Sequence, residues 1–245
     1  MMNSNYTFKS FSIVIPIYNE EEILLESVNA ITSICERTLL PYELLLIENG
    51  STDKTITIAQ SLSKKNNTIK VLSLHDANYG SALKHGFNLA SNELIVAFDI
   101  DYYSETFLKT ALQLDKDFAA ITASKRLQTS KDARRLIRRI ATNAFVYILK
   151  ILFRTNLSDT HGMKAIRKTE IEKYIEQVVS TQDIFDTELL IRIERSGGRV
   201  KEVPAKINEI RPSVSLIYER IPRTLKSLIK LRYIFYKESL KTKNL

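Results

Sequence analysis

Apolar residues in the first half of the chain fall in short dense runs, each followed by a polar turn and then by apolar positions at helical spacing. The runs are Phe11 to Tyr18 (FSIVIPIY), Tyr42 to Ile47 (YELLLI), Ile69 to Leu74, Leu94 to Phe98 and Phe118 to Ser124. Unbroken bulky side chains over this length predict strands covered on both faces, as in the middle of a parallel sheet. After the first run, Asn19 with Glu20, Glu21 and Glu22 opens a helix whose first turn is negative, as its dipole prefers. Ile23, Leu24, Val28, Ile31 and Ile34/Cys35 then recur three and four apart. Further helices are predicted from Thr52 or Asp53 to about Lys65, from Ser81 to Ala90 and from Thr106 to Leu114. Strand and helix alternating in this way is the βαβ rhythm, which predicts a parallel sheet with right-handed crossovers.

In such a sheet every strand-to-helix loop leaves by the same edge, where open α/β folds bind their ligands. Pro16-Ile17-Tyr18-Asn19-Glu20, Glu48-Asn49-Gly50-Ser51, Asn78-Tyr79-Gly80 and Asp99-Ile100-Asp101 are therefore expected to converge on one crevice. The last loop is the candidate metal site. Asp99 and Asp101 hold two hard carboxylates close together at the end of a buried strand, a pattern suited to Mg2+ or Mn2+ on a diphosphate.

After Ser124 the alternation stops. Lys131 to Arg139 is strongly basic, and Ile140 to Phe153 continues as an apolar helix of the kind that rests on lipid headgroups. Asp159 to Lys164 is an irregular polar turn, Lys164 to Arg167 a short strand, and Thr169 to about Val178 a helix. A second helix starts at Asp186 and is stopped by Gly197-Gly198. Arg199 to Ile207 alternates as an edge strand, where Pro204 is tolerated. From Val214 the tail is helical, with Ile221, Leu225, Leu228, Ile229, Phe235 and Tyr236 on one face and Arg223, Lys226, Lys230 and Lys237 opposite; Arg232 falls on the apolar side.

Charge sharpens this division. Residues 125 to 154 carry +8 and residues 211 to 245 carry +7, which leaves the rest of the chain at −7 although the total is +8. Two basic segments on an acidic body predict an anionic partner met by those segments. A membrane surface fits best, with a phosphorylated substrate as the alternative anion and, for the tail, a surface helix packing its apolar stripe on the body as the alternative to lipid. No helix-turn-helix, aromatic-basic platform or RNP pattern supports nucleic acid. The single cysteine, Cys35, rules out an internal disulfide framework and a cysteine zinc cluster, and reads as core filler in a reducing compartment. Met1 to Ser10 lacks the apolar region of a signal peptide, and no apolar stretch is long enough to cross a bilayer. The expected location is cytoplasmic, peripheral to the cytoplasmic face of a membrane.

Eight segments, in order and at natural spacing, resemble the family 2 glycosyltransferases, and among them the dolichyl- and polyprenyl-phosphate mannosyl- and glucosyltransferases. Ser12 to Glu20 (SIVIPIYNE) is similar to the opening strand and loop of that family, and Glu48 to Thr55 (ENGSTDKT) to its DDGSTDxT turn. Asn78, Gly80, Ala82 and Gly86 match an N-x-G-x-A-x-x-x-G helix start, and Asp99-Ile100-Asp101 the D-x-D. Ser124-Lys125-Arg126, Asp159 to Lys168, Phe185 to Leu190 and Glu202-Val203-Pro204 complete the set.

The resemblance implies a GT-A fold: Rossmann-like α/β, a mostly parallel sheet flanked by helices, here with C-terminal amphipathic helices. One domain over 1–210, with a nucleotide-sugar half (10–125) and an acceptor half (126–210), would precede a basic helical tail (211–245). The implied enzyme is an inverting, metal-dependent hexosyltransferase that uses a UDP- or GDP-sugar as donor and a polyprenyl or dolichyl phosphate as acceptor. Pro16, Tyr18, Asn19, Glu20, Glu48, Asn49, Ser51, Asn78, Gly80 and Asp99 would bind the donor. Arg126, Lys164 and Arg211 are placed to meet phosphates of donor or acceptor. An ionised phosphate acceptor needs no general base. A sugar-hydroxyl acceptor does, and Asp186 and Glu188 are the carboxylates available for it. Glu48 and Asn49 stand where the family has two aspartates, so no bidentate carboxylate is offered to guanine and UDP is at least as well accommodated. Transfer to a sugar hydroxyl, and an inactive GT-A domain that only binds, are the alternative readings.

Overall fold

The computed structural model of the chain describes residues 6–75, 77–127, 136–182, 184–205 and 217–243. Arg211 and the basic residues Lys131, Arg134 and Arg135 lie outside them. Five βα units come first: β1 (Phe11–Ile17), α1 (Leu24–Glu36), β2 (Tyr42–Asn49), α2 (Thr55–Lys65), β3 (Ile69–Leu74), α3 (Tyr79–Leu89), β4 (Leu94–Ala97), α4 (Glu105–Leu112), β5 (Phe118–Ser124) and α5 (Leu136–Phe153). Then follow β6 (Lys164–Arg167), α6 (Lys168–Tyr174), a 3-10 turn (Ile175–Gln177), α7 (Phe185–Arg195), β7 (Arg199–Pro204) and α8 (Ile217–Lys243). The helix expected over Thr169 to Val178 thus divides into α6 and the 3-10 turn.

The sheet has the order β3-β2-β1-β4-β6-β5-β7. Its strands alternate their side chains between two cores, the period-two signature of a strand buried on both faces. Phe11, Ile13, Ile15 and Ile17 of β1 pack with α1, α2 and α4, while Val14 packs with α3 and α7 on the other face. Cys35 belongs to the first of these cores. Burial pushes its thiol up to about 12, with the neighbouring Glu36 charge adding to the effect.

One strand departs from the βαβ expectation. β6 lies between β4 and β5 and runs antiparallel to both, pairing Ala97 and Thr122 with Lys164. All the other strands share one direction. An antiparallel strand begins where its neighbours end, so the turn before β6 (Asp159 to Met163) arrives at the same edge as the loops after β1 to β5. β7 pairs only with β5 and is the edge strand that Pro204 predicts.

The tail helix is packed on the body. Leu228, Leu231 and Phe235 are buried in a third core with Leu149 and Phe153 of α5 and Ile191 of α7, and the Phe153 and Phe235 rings meet edge to face at 5.7 Å. Burial of three such side chains contributes about 2 kcal/mol each. The predicted single apolar face is therefore split. Leu225, Ile229 and Tyr236 stay exposed, joined by Tyr233 and Leu240. Arg192 and Arg195 of α7 stack on the Phe235 ring at 4.8 and 4.7 Å, and Arg192 forks onto Glu238 at 3.1 Å through both terminal nitrogens.

At the amino end of β2, between β1 and β3, Glu43 is buried. Its carboxylate accepts from Ser12 Oγ, Ser91 N and Oγ and Lys70 Nζ, all at 2.7 Å. Burial opposes its charge, but these donors outweigh burial and hold it at about 2. A lowered carboxylate stabilises the fold above its unfolded value near 4.5, and that contribution is lost as pH falls toward 2. Lys70 is half exposed, which screens the pair, so Glu43→Gln is expected to cost about 2 kcal/mol at pH 7. Urea titrations of the two proteins should show the gap narrowing steadily below pH 4.5; a gap independent of pH would contradict the assignment.

Candidate active site at the carboxyl edge of the sheet

Side-chain hydrogen bonds tie each of the four crevice loops to the next. Asn19 is left-handed (φ 53°), a conformation that asparagine tolerates. Its Oδ1 accepts from the Thr52 N–H (2.8 Å), and its own N–H donates to Ser51 Oγ (3.0 Å). Asn49 Oδ1 accepts from the Asn78 N–H (2.9 Å), which joins the second loop to the third. The third meets the fourth where the Tyr79 hydroxyl donates to Asp99 Oδ1 (3.0 Å). The fourth loop is closed on itself, Asp99 N–H to Tyr102 O at 3.3 Å and Tyr102 N–H to Asp99 O at 3.0 Å.

Two glycines are required by this arrangement. Gly50 has φ +76°, and a Cβ there would lie 2.7 Å from the His75 carbonyl oxygen. A Cβ on Gly80 would lie 2.6 Å from the Thr181 backbone, whose carbonyl accepts from the Ser81 N–H at 3.1 Å. The start of α3 is thus pressed onto the segment leading into α7. Asn78 caps α3 by accepting from the Ser81 N–H (3.0 Å).

The polar turn before β6 forms the second wall. Asp159 is buried and accepts from the Lys125 N–H (3.2 Å) and the His161 N–H (3.0 Å). Glu202 of β7 accepts from Ser158 and Asp159 and anchors the turn. His161 lies edge-on to Phe145 of α5 at 5.1 Å. Beside it Lys164 and Asp186, both nearly inaccessible, form an ion pair at 2.8 Å. Burial opposes the charge on Asp186, but Lys164 and His161 keep its carboxyl below the usual range. Burial raises Asp99, with Lys164 and Tyr79 pulling the other way and Asp101 adding to the rise. Burial, then Asp99 and Asp186, push the Tyr79 phenol well above its ordinary value, so it stays protonated and donates.

The donor set fits a divalent cation that arrives with a diphosphate. Asp99 and Asp101 sit on a closed turn, and no cluster of three His, Cys, Asp or Glu gathers among the described residues. Mg2+ and Mn2+ are held in this way by one or two carboxylates, with the substrate phosphates completing the shell.

Residues 12–175 match the family described as Glycosyl transferase family 2. The chain belongs to this family. Among curated proteins this glycosyltransferase is 27% identical over 201 residues to "Glycosyltransferase AglD" of Haloferax volcanii, covering 79% of the chain and 32% of AglD. It is 34% identical over 95 residues to the undecaprenyl-phosphate 4-deoxy-4-formamido-L-arabinose transferase of Serratia proteamaculans, covering 38% of the chain and 29% of that protein. The chain thus spans about a third of the length of these relatives. Its fold is that of glucosyl-3-phosphoglycerate synthase from Mycobacterium tuberculosis. The complex of that enzyme with UDP superposes with a TM-score of 0.67 at 19% identity, over 91% of this chain and 80% of the other. Its complex with Mn2+, UDP-glucose and phosphoglyceric acid gives 0.65 at 18% identity, over 91% and 78%. The expected GT-A architecture is therefore borne out.

The transferase distributes its sequence-predicted residues unequally. Pro16, Tyr18, Asn19, Glu20, Asn49, Ser51, Asn78, Gly80, Asp99 and Asp101 all fall on the linked loops or the strand ends that lead into them. Glu48 is turned inward, where it accepts from the Ser51 N–H and the Ser73 hydroxyl. Burial opposes its charge, and these bonds more than offset that and lower its carboxyl. The bond to the Ser51 N–H closes the turn after β2. Lys164 is committed to Asp186 inside the protein. Glu188 is fully buried, accepting from the Val179 and Ser180 N–H groups and pairing with Arg192 Nε at 2.8 Å. Arg126 is exposed and lines an apolar cavity of about 500 Å³ with Ile140, Asn143, Ala144, Val146, Tyr147 and Lys150. Sequence patterning assigns Tyr79 no role, because an aromatic at a helix start reads as packing.

Proposed function

We propose that the transferase moves a hexose from a UDP- or GDP-sugar to a polyprenyl or dolichyl phosphate at a membrane surface, with inversion and with Mg2+ or Mn2+. The observation that carries this reading is the commitment of the α7 carboxylates. Glu188 has donors on both oxygens, and Asp186 is an ion-paired carboxylate of lowered pKa, a poor base. A phosphate acceptor is already ionised and needs neither. Asp99 and Asp101 would hold the cation, which when bound neutralises charge developing on the leaving nucleotide. Arg126 would meet the acceptor phosphate at the mouth of the apolar cavity, whose lining suits the first units of a prenyl chain.

Two outward apolar rows support the membrane part. Ile140, Tyr147 and Ile151 of α5, and Leu225, Ile229, Tyr233, Tyr236 and Leu240 of α8, are exposed beside Lys150, Lys226, Lys230 and Lys237. Among the described residues no helix is long and apolar enough to cross a membrane. The two rows support peripheral contact, and the cytoplasmic face is the side proposed for it.

The test supplies the purified chain with labelled UDP- and GDP-hexoses, Mn2+ and anionic vesicles that contain polyprenyl phosphate. Label is expected to enter the lipid extract, and to stay out of it when the free alcohol, polyprenol, replaces the phosphate. Ile229→Glu together with Tyr147→Glu should release the protein from vesicles without lowering its melting temperature. Label recovered on a sugar hydroxyl would overturn the acceptor assignment.

A further inference from the structure

We propose that Tyr79 is a positioning residue for the donor reaction, acting through Asp99 of the D-x-D turn; the inference rests on the donor reading above. The Tyr79 hydroxyl donates to Asp99 Oδ1 at 3.0 Å. That bond commits one oxygen of the carboxylate to the protein and restricts its torsion, while the other oxygen has no hydrogen-bond partner among the described residues. A free aspartate at the mouth of a crevice would have to be ordered on binding, at a cost in side-chain entropy. One already held by a hydrogen bond is ordered beforehand.

The arm that carries the phenol is itself fixed from three sides. Asn78 caps the helix that Tyr79 begins, Asn49 Oδ1 accepts from the Asn78 N–H, and Gly80 leaves no room between α3 and the Thr181 backbone. The main-chain pair between Asp99 and Tyr102 fixes the backbone that carries the carboxylate. Tyr79 therefore links two independently braced elements, α3 and the turn after β4, at the atom that the donor complex would meet. Tyr79 is 40% exposed, so a phenylalanine would keep the ring in place and delete the link alone.

Tyr79→Phe in the full chain is titrated calorimetrically with UDP and with GDP in the presence of Mn2+. For whichever nucleotide the wild type binds, affinity is expected to fall about tenfold, in line with loss of a hydrogen bond to a charged group. The melting temperature should be unchanged. In the lipid-labelling assay the donor KM should rise while the acceptor KM stays the same, a split that a general loosening of the fold would not produce. Unchanged nucleotide affinity, or a loss shared by both substrates, would sink the proposal while leaving the donor reading intact. If the wild type binds neither nucleotide, the donor reading falls and this inference with it. Should Tyr79→Phe fail to fold, Asp99→Asn must itself weaken binding by at least tenfold, and full affinity in that variant overturns the role assigned to Tyr79.

Discussion

Asp101→Asn is expected to reduce kcat/KM about 10³-fold and to leave the melting temperature where it is. The asymmetry follows from where the side chain sits. Asp101 is partly exposed on a turn closed by the main chain of Asp99 and Tyr102, and no hydrogen bond or ion pair among the described residues holds its carboxylate. Nothing in the fold depends on its charge. The reaction does, because breaking a glycosyl-diphosphate bond leaves growing negative charge on the nucleotide, and preorganised charge compensation at such a centre is worth roughly 10² to 10³ in rate per interaction. With Asp99 already sharing an oxygen with Tyr79, Asp101 is the less encumbered of the two carboxylates. The measurement is transfer rate against Mn2+ concentration, beside a thermal melt of the same sample. A variant that keeps more than a tenth of wild-type activity would argue against this carboxylate pair as the cation site.

Glu188 presents the reverse case. Glu188→Ala is expected to destabilise the protein by about 3 to 5 kcal/mol, because it takes from the buried Arg192 one of its two carboxylate partners and removes the acceptor of two backbone N–H groups. For a chain of this size that lowers the melting temperature by roughly 6 to 20 °C. Glu188→Gln keeps an acceptor for the Val179 and Ser180 N–H groups but loses the charge facing Arg192, so it should fall between wild type and alanine. If Glu188 were instead the general base for a hydroxyl acceptor, Glu188→Gln would abolish turnover in protein that is still folded at the assay temperature. Thermal denaturation and initial rates on the same three proteins separate these outcomes.

The contrast between the two carboxylates shows what a linear reading reaches. Strands buried on both faces announce themselves by unbroken apolar runs, so β1 to β5 and the loops behind them are legible, and the D-x-D is legible because it ends such a run. Glu188 is not. Its partners lie nine and eight residues back and four ahead, and Arg192 in turn reaches Glu238, forty-six residues away. A carboxylate beside a functional motif invites a catalytic reading, and the groups that hold it are visible only in the fold. Glu48 is a related case, since the family resemblance supplies its position while its bonds to Ser51 and Ser73 are visible only in the fold. The tail helix exposes a different limit. A helical wheel finds the apolar stripe of α8 but cannot say which sector faces the body, and the structure gives Leu228, Leu231 and Phe235 to the core and Ile229 and Tyr236 to the outside. Arg232, which interrupts the stripe when the helix is read alone, lies on its exposed border.

The direction of β6 was out of reach from its four residues, because Lys-Ala-Ile-Arg reads alike in either sense. Yet that strand is the seam of the molecule: β4 and β5 touch it and not one another. On the ribosome, the first three strands and β4 can assemble as they emerge, but the outer margin of β4 stays bare until Arg167 has been synthesised. The nascent chain therefore passes through a stage with an unsealed amide row, and a premature stop between residues 125 and 163 would leave a product disposed to aggregate.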